Sequence, residues 1–370
     1  MKPELKKWGM FAYIAGDNDL SEYALLDVTE MCKEGSSEDV HVSVQIDTEG
    51  DFEGLIRYEI TPRDFDGIGY RKVIERLPEK DSGSSKCLQD FMKYALKRYP
   101  SRNKNAIVWS HGSGFKAVSR DAGFDYSSGN SMDMNEIVKA LSNGGINRKN
   151  KLNIIGFDAC LMAMLEVAHH FSDHAEILVG SQQTEPGNGW PYDQVLKHMK
   201  KNPQPHQLAK NIVNEYIIYY RKTRQSNVTQ SAIIISKTSA AIKSFHDLGT
   251  FLSKNLDGYK GLINRARVSS QNFEYADYID VLDFLNILVK SVDSKHEKLR
   301  LHCKNVITAC NECILHADKY GDAVKGANGL SIWFPCSRES YFLNRAKYLK
   351  LKCNVNGSGW VNFLDEYYLN

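Results

Sequence analysis

Apolar runs of strand length alternate with helical periodicities along the first half of the chain. The apolar runs cover 8–16, 40–47, 105–112, 151–160 and 176–183. Apolar residues recur at helical spacing over 17–35, 84–100, 132–145 and 161–171. We expect Asp17 or Asp19 to cap the first of these helices. Continuous apolar strands that alternate with helices predict an α/β fold, with a mostly parallel central sheet flanked by helices on both faces.

The second half of the chain is predicted to be mainly helical. Its segments are a helix over 206–223, a strand over 230–236, a helix that continues to 256, a helical region over 275–320 and a late strand over 328–335. Earlier, residues 54–77 are predicted to form a short β-excursion. No Pro/Gly/Ser linker divides the chain. We therefore expect a core over 1–200 and a mainly helical C-terminal part over 201–370, whose late strands complete or adjoin the sheet.

Composition and charge exclude several classes of protein. Hydrophobic residues make up 42% and charged residues 25% of the chain, which is typical of globular proteins. The formal net charge of +2 gives no basic excess for nucleic acid or a membrane surface, so we expect neither as a partner. The apolar stretch from Met10 to Ala15 is too short for a signal peptide. We expect a cytoplasmic protein or the mature form of an exported one.

The eight cysteines form no dense disulfide framework. Cys303, Cys310 and Cys313, with His302 and His316 nearby, come closest to a metal motif. Their segment also carries apolar residues at helical spacing, and no second Cys-x-x-Cys completes four zinc ligands. We therefore favour helix packing over a zinc site and expect no metal there.

Two predicted strands end in residues that suit nucleophilic catalysis. One strand runs into His111 and Gly112, and a later one runs into Cys160. Ligands of an open parallel sheet bind at the carboxyl ends of its strands, so His111 and Cys160 should meet at one rim. An imidazole can take the proton of a thiol or favour its thiolate. We also expect Cys160 to begin a helix near Leu161, whose dipole would favour the thiolate.

The motifs around these residues resemble the clostripain family of cysteine peptidases, which share the caspase-type fold. Caspases carry Gln-Ala-Cys with a histidine about 50 residues upstream, and this chain has Asp158-Ala159-Cys160 with His111 49 residues upstream. The matching segments are 11–20, 44–47, 106–115, 154–168, 180–192, 329–335 and 360–364. The resemblance implies a caspase-like catalytic domain and covers nearly the whole chain.

The resemblance implies specific catalytic roles. Cys160 is similar to the nucleophile and His111 to the catalytic histidine, with the N–H groups of Gly112 and Cys160 as oxyanion donors. Asp158 resembles the acidic group of the S1 pocket that selects Arg or Lys at P1, and a carboxylate there would pair with a cation. Its alternative role is a helix N-cap. No third catalytic residue can be named from the sequence.

The remaining substrate contacts are expected from one loop and one strand end. Family members contribute a second S1 acid from the loop 182–192. This chain has Asn188 at that place, with Glu185 and Asp193 on either side. If Asn188 replaces the acid, the preference for basic residues should weaken. Asn18, at the end of the first strand, either reaches the cleft or caps the helix that follows.

The resemblance also implies activation by self-cleavage between the histidine and cysteine strands. The polar, Gly/Ser-rich segment 112–131 should be exposed, and exposed loops attract proteolysis. Within it, Lys116 and Arg120 are the preferred cleavage points. Later candidates are Arg148, Lys149 and Lys151.

The expected function is therefore cysteine endopeptidase activity on peptides with Arg or Lys at P1, by a monomer that requires no cofactor. Calcium is a further possibility at Asp277, Asp280 and Asp283, although spacing of three is also typical of a solvated helix face. One alternative is a peptide-binding protein of the same fold that does not cleave. A second is a nucleotide-binding α/β protein, but the chain lacks the glycine motifs of that class.

Overall fold

The computed structural model describes residues 4–48, 54–62, 70–119, 130–355 and 357–369. Within these ranges the strands are β1 (Lys6–Gly16), β2 (Val40–Thr48), β3 (Ile56–Ile60), β4 (Arg71–Arg76), β5 (Ser101–Trp109), β6 (His111–Gly112), β7 (Val118–Ser119), β8 (Ser131–Met132), β9 (Leu152–Asp158), β10 (Ala175–Gly180), β11 (Val228–Ile234), β12 (Tyr278–Asp280), β13 (Ile314–Tyr320) and β14 (Ser331–Trp333).

The α-helices alternate with these strands in the first half and dominate the second. They are α1 (Ser21–Glu34), α2 (Ser85–Arg98), α3 (Met134–Asn143), α4 (Leu165–His170), α5 (Tyr192–Lys200), α6 (Pro205–Thr223), α7 (Thr238–Lys254), α8 (Leu256–Ser269), α9 (Val281–Lys290), α10 (Glu297–Cys313), α11 (Arg338–Leu349) and α12 (Gly359–Leu369). None of the helices in the described ranges is long and apolar enough to cross a membrane.

A nine-stranded sheet organises the molecule, in the order β13-β11-β10-β9-β5-β1-β2-β3-β4. Its central strands β2, β1, β5, β9 and β10 are parallel. The outer strands add antiparallel on both sides. The predicted α/β fold class is confirmed, and the predicted β-excursion forms the β3–β4 edge. Strands β11 and β13 from the second half of the chain complete the other edge.

The sheet is buried on both faces because its central strands carry apolar side chains in both directions. In β1, Phe11 and Tyr13 belong to one buried cluster, whereas Met10 and Ile14 belong to the other. Helices α1, α5 and α6 supply the cover on the second face. The larger cluster on the first face includes residues of α2, α3, α4 and α7 and of the C-terminal helices. Burial of this kind is the main source of stability.

The C-terminal part differs from the prediction in one helical segment. The helical spacing predicted a helix through residue 320, but α10 ends at Cys313, and residues 314–320 form the edge strand β13. All seven residues of β13 are half-buried, so this strand shows no clear alternation that the sequence could reveal. The late strand β14 pairs with β12 in a small separate sheet. It also contacts the first half of the chain, since Ser331 N donates to Ala163 O at 2.9 Å.

Candidate active site

The site lies where β1, β5 and β9 end side by side. These three strands are neighbours in the sheet, with Ile14 opposite Trp109 and Trp109 opposite Asp158. Just beyond β5, the Ser110 hydroxyl donates to Ala15 O of β1 at 2.9 Å. The residues that follow each strand are thereby held at one rim of the sheet, as expected for parallel strands.

His111 lies in this rim and contacts a carboxylate from the end of β1. Its Nε2 atom is 2.7 Å from Oδ1 of Asp19. The His111 side chain is 20% exposed and that of Asp19 is 73% exposed, so the contact forms at the mouth of the site. Asp19 was expected as a possible cap of α1. Instead that helix begins at Ser21 without a side-chain cap.

Cys160 faces the same space from the end of β9. Its sulfur accepts a hydrogen bond from Glu185 N at 3.2 Å. Burial raises the pKa of the thiol, the charge of Asp158 adds to the rise, and the N–H groups of Glu185 and Gly112 oppose it. His111 and Cys160 line two cavities in common. Among the described residues, however, the hydrogen-bond partner of the imidazole is Asp19 rather than the sulfur.

The prediction that Cys160 begins a helix is wrong. Leu161 adopts a left-handed conformation with φ 67°, which ends the strand without starting a helix. The next residues are hydrogen-bonded through their backbone to the chain after β10, with Leu161 N donating to Gln183 O and Ala163 N to Ser181 O. Helix α4 begins only at Leu165 and has six residues. A helix that begins at Cys160 therefore does not favour the thiolate, and burial raises the pKa of the thiol.

Gly112 packs directly against the backbone of Cys160. A Cβ atom at position 112 would lie 2.3 Å from Cys160 O and 2.9 Å from Cys160 N, so only glycine fits without displacement. The backbone N–H groups of Gly112 and Cys160 both lower the pKa of the Cys160 thiol. Both groups thus lie near the sulfur.

A cavity of about 270 Å³ opens between these residues and the loop after β10. His111 and Cys160 lie in its wall together with the carboxylate residues Asp158 and Glu185. Its other lining residues are Leu20, Trp109, Ser110, Ala159, Thr184, Pro186, Gly187 and Gly189. The cavity therefore brings a thiol, an imidazole and two carboxyl groups together in one small space.

The two carboxylates differ in how their oxygens are satisfied. Oδ2 of Asp158 accepts from Tyr192 Oη at 2.7 Å and from Trp190 N at 3.1 Å. Oε1 of Glu185 accepts from Gln230 Nε2 at 3.3 Å, whereas Oε2 is buried and has no such donor within the described part of the chain. The two carboxyl groups share a hydrogen bond, which raises the pKa of Glu185 and lowers that of Asp158. Burial raises the pKa of Glu185 well above its usual range, and the adjacent Asp158 raises it further. An incoming cation would relieve both effects.

A third acidic group lies behind this pair. Asp27 of α1 is buried and accepts a hydrogen bond from Trp109 Nε1 at 2.7 Å. Burial raises its pKa well above the usual range, and the charge of Asp158 adds to the rise. The sequence prediction did not include Asp27. A signal was present, since a charged residue interrupts the apolar face that Ala24, Val28 and Met31 form along α1.

Asn188 and Asn18 lie outside the lining of both cavities beside Cys160. The Asn188 side chain hydrogen-bonds to Tyr219. Asn18 accepts from Leu20 N at 2.9 Å and donates to Ala15 O at 3.3 Å, so these bonds order the turn that precedes α1. In the loop after β10, the acidic residue in the cavity wall is Glu185.

Lys116 lines a second cavity, of about 480 Å³, on the other side of His111 and Cys160. Its Nζ atom is 3.9 Å from Asp277 and lies 4.9 Å from the ring centre of Tyr275. Burial lowers the pKa of this amine. The other expected cleavage point, Arg120, lies outside the described residues.

The acidic residues considered for calcium accept hydrogen bonds from separate protein groups. Asp280 caps α9 by accepting from Asp283 N at 2.8 Å. Asp283 accepts from Gln271 N at 2.7 Å, and Asp277 accepts from Cys336 N at 2.9 Å. In the described ranges, a different group of three acidic residues has ligand atoms close enough together to hold a metal ion. This group lies at the ends of β1, β2 and β4.

The Cys303 segment packs as a helix. Cys303, Cys310 and Cys313 of α10 are all buried, and burial raises the pKa of each thiol. His316 lies beyond the helix in β13 and contacts Asn214 at 2.7 Å. Protonated thiols in a packed core are typical of structural cysteines.

Comparison with known proteins connects this geometry to one family. A family model described as the clostripain family matches residues 12–367. Clostripain of Hathewaya histolytica is 24% identical over 315 residues, which cover 71% of this chain and 59% of that protein. The match thus spans about three fifths of the length of this curated relative.

Solved structures show the same fold. An inactive zymogen C11 protease from Parabacteroides distasonis has a TM-score of 0.75 and 19% identity, with 97% of this chain and 100% of that one covered. A secreted C11 cysteine protease from Bacteroides thetaiotaomicron, in complex with an irreversible peptide inhibitor, has a TM-score of 0.70 and 21% identity, with 93% and 98% covered. The predicted caspase-like architecture is confirmed by this likeness of fold.

Proposed function

Because this chain belongs to the clostripain family, we propose that it is a cysteine endopeptidase that cleaves peptide bonds after Arg or Lys. The observation that carries the proposal is the 270 Å³ cavity, whose wall combines Cys160 and His111 with Asp158 and Glu185. A cationic P1 side chain in this cavity would meet two carboxylates, and its own carbonyl group would lie beside the sulfur. Charge-assisted hydrogen bonds of this kind select strongly for a cation.

The first half of the reaction uses His111 as general base. Since Asp19 holds Nε2, Nδ1 is the nitrogen that takes the proton from Cys160 as its sulfur attacks the carbonyl carbon. The carbonyl electron pair moves onto oxygen, and the N–H groups of Gly112 and Cys160 stabilise the oxyanion. Collapse of this intermediate breaks the C–N bond, and the leaving amine takes the proton from His111.

The second half releases the acyl group. Water gives a proton to His111 and attacks the thioester carbon, with the same two N–H groups as oxyanion donors. The thioester bond breaks, the sulfur regains the proton, and the carboxylic acid leaves. The raised pKa of Cys160 supports a resting enzyme with a protonated thiol, so His111 acts during attack rather than as a preformed ion pair.

Fluorogenic peptides that differ only at P1 test the proposal. Wild type should hydrolyse the Arg and Lys peptides, reject the Asp peptide and lose activity in Cys160→Ala. A chloromethyl ketone with an Arg side chain should label wild type but not this variant, and Cys336→Ala controls for reaction at an exposed thiol. Binding of the Arg peptide without hydrolysis or labelling would favour the non-catalytic alternative, and a preference for Asp would overturn the assigned specificity.

We further propose that the enzyme activates itself by cleavage after Arg120 rather than Lys116. Lys116 is a poor P1 residue because its side chain is engaged with Asp277 and Tyr275. Its backbone lies in a tight turn, in which Ser113 N donates to Ala117 O at 3.0 Å. Intact-mass analysis should show two chains in wild type and one in both Cys160→Ala and Arg120→Ala. Two chains in Arg120→Ala and one in Lys116→Ala would reverse this assignment.

We also propose that the active unit is a monomer. Sedimentation at the assay concentration should give a single species near the 41.9 kDa mass of the chain. Activity that appears only in a heavier species would contradict this assignment.

A further inference from the structure

The two cavities beside Cys160 share one part of their walls and differ in the rest. His111, Cys160 and Thr184 line both of them. The 270 Å³ cavity continues with Trp109, which packs in the buried cluster on the second face of the sheet. The 480 Å³ cavity continues with Leu161, which packs in the cluster on the first face. The two cavities therefore extend from the sulfur toward opposite faces of the sheet.

Peptide geometry assigns the two sides of a cleaved bond to the two cavities, and this step rests on the proposed peptidase function. In a planar trans peptide, the Cα atoms of P1 and P1′ lie on opposite sides of the C–N bond. With the P1 side chain in the 270 Å³ cavity, the leaving nitrogen and the P1′ residue lie toward the 480 Å³ cavity. Gly112, whose N–H is a proposed oxyanion donor, lines this second cavity and lies outside the lining of the first.

The walls of the two cavities differ in charge. Asp158 and Glu185 line the 270 Å³ cavity, whereas Lys116 and Lys347 line the 480 Å³ cavity. Burial lowers the pKa of the Lys116 amine, Asp277 opposes this effect, and the charge of Lys347 adds to it. The two amines are thus close enough to repel each other, and an anion bound between them would relieve the repulsion.

The two lysines differ in how their charge is balanced. Lys116 Nζ lies 3.9 Å from the carboxylate of Asp277. This carboxylate is buried and also accepts hydrogen bonds from Cys336 N and Ser340 Oγ. Lys347 is exposed and forms no ion pair with the residues that the structure describes. Its amine can therefore meet an incoming carboxylate without giving up an ion pair to them.

We propose that the 480 Å³ cavity binds an Asp or Glu side chain at P1′, held by Lys347 with assistance from Lys116. The substrates are then peptides in which an acidic residue directly follows the basic one. A hydrogen bond between an amine and a carboxylate is stronger than one between neutral groups. Glu274, an exposed carboxylate in the same wall, opposes this preference and limits its size.

The chain itself contains a bond of this kind. Arg120, the proposed site of self-cleavage, is directly followed by Asp121. The other candidate cleavage points are each followed by a residue that is not acidic; these points are Lys116, Arg148, Lys149 and Lys151. A preference for an acid at P1′ would therefore direct self-cleavage to Arg120.

Internally quenched peptides with Arg at P1, Asp or Asn at P1′ and an amide at the C-terminus test the proposal. Wild type should cleave the Asp peptide with a kcat/KM about 5- to 10-fold above that for the Asn peptide. Lys347→Gln should lose most of this ratio, and Glu274→Gln should increase it. The control Lys350→Gln removes an exposed charge directly after α11, outside the cavity lining, and should keep the ratio of wild type.

Equal kcat/KM for the Asp and Asn peptides in wild type would overturn this inference and leave the proposed peptidase function in place. An unchanged ratio in Lys347→Gln would overturn it as well, and so would a second peptide pair in which Asp accelerates cleavage from P2 instead of P1′. If wild type cleaves no peptide, fluorescence anisotropy with the full-length Cys160→Ala protein decides. Tighter binding of the Asp peptide would then support the cavity assignment without peptidase activity, whereas equal binding would overturn both proposals.

Discussion

The Nε2 atom of His111 lies 2.7 Å from Oδ1 of Asp19, which joins the ends of two adjacent parallel strands. A hydrogen bond at such an exposed position contributes little to folding stability. Its effect is on the imidazole, because a partner at one ring nitrogen fixes both the orientation of the ring and its tautomer. In the proposed reaction, Asp19 is therefore a positioning residue for the base and does not contact the reacting atoms.

Asp19→Asn should therefore lower kcat about 10-fold, since an amide no longer favours a proton on Nε2. KM and the melting temperature should change little, because the carboxylate is 73% exposed. Steady-state kinetics and thermal melts measure both. Glu22→Gln, at an exposed position in the first turn of α1, removes a nearby charge and should behave like wild type. A normal kcat in Asp19→Asn would show that the contact is incidental.

The resting protonation state of Cys160 predicts how its reactivity depends on pH. Burial is the largest cause that raises the thiol pKa, and Asp158 adds to it, while the N–H groups of Glu185 and Gly112 limit the rise. The thiolate is then a minor species at neutral pH. Alkylation by iodoacetamide should accelerate about 10-fold per pH unit between pH 7 and 8. The rate assigned to Cys160 is the difference between wild type and Cys160→Ala. A rate that stays constant below pH 7 would instead indicate a thiolate–imidazolium pair with His111.

Gly112→Ala tests the close backbone contact at the oxyanion site. The new Cβ would lie 2.3 Å from Cys160 O, so one of the two backbone segments must shift. Displacement of one oxyanion donor should lower kcat about 100-fold or more. Gly258→Ala in α8 is the matched control, because a Cβ there meets no atom within 4 Å, and alanine favours a helix. Equal kcat of the two variants would show that the N–H group of Gly112 is not an oxyanion donor.

The catalytic rim could be predicted from the sequence because it depends only on strand order and direction. Apolar strands joined by helices run parallel in one sheet, and the residues after them share one edge. His111 and Cys160 each follow such a strand. Asp19 also follows one, after β1, and the same rule could have identified it. It was assigned to helix capping because aspartate is common in that role.

Other features depend on tertiary contacts that the sequence does not encode locally. The apolar residues after Cys160 fit a helix, but bonds from Leu161 and Ala163 to the loop and strand beside them hold the chain extended. The role of Glu185 rather than Asn188 in the cavity wall depends on how residues 182–192 fold back over β9. A linear motif gives the order of such residues but not the direction of their side chains.

Asp158→Asn should remove most of the preference for a basic P1 residue. We expect kcat/KM for the Arg peptide to fall about 100-fold, because a charge-assisted hydrogen bond is replaced by a neutral one. The amide keeps the shape of the buried side chain, so the protein should still fold. Asn188→Ala changes a neighbouring residue outside the cavity lining and should leave the Arg and Lys rates unchanged. If only Asn188→Ala loses the preference for a basic P1 residue, Asn188 rather than Asp158 provides that selectivity.

The buried carboxylates also predict how stability depends on pH. Burial raises the pKa of Asp27, Asp158 and Glu185 in the folded protein. Above the ordinary carboxyl pKa of about 4, the folded state therefore holds protons that the unfolded chain has released. Unfolding then releases protons, so stability falls as pH rises. Five histidines have a pKa lowered by burial and act in the opposite direction below about pH 6.5; they are His41, His169, His170, His174 and His246. Wild type should therefore lose melting temperature as the pH rises from about 7 to 8.

Glu185→Gln should make this decline shallower and raise the melting temperature at pH 7, because it removes one buried acid while Gln230 retains a hydrogen-bond acceptor at position 185. Thermal melts from pH 5 to 8 in buffers of constant ionic strength measure the slope. Glu22→Gln, whose side chain is exposed, should keep the wild-type slope. If Glu185→Gln melts at or below the wild-type temperature at every pH, the buried carboxylate stabilises the fold. The cavity would then hold no strain that a bound cation could relieve.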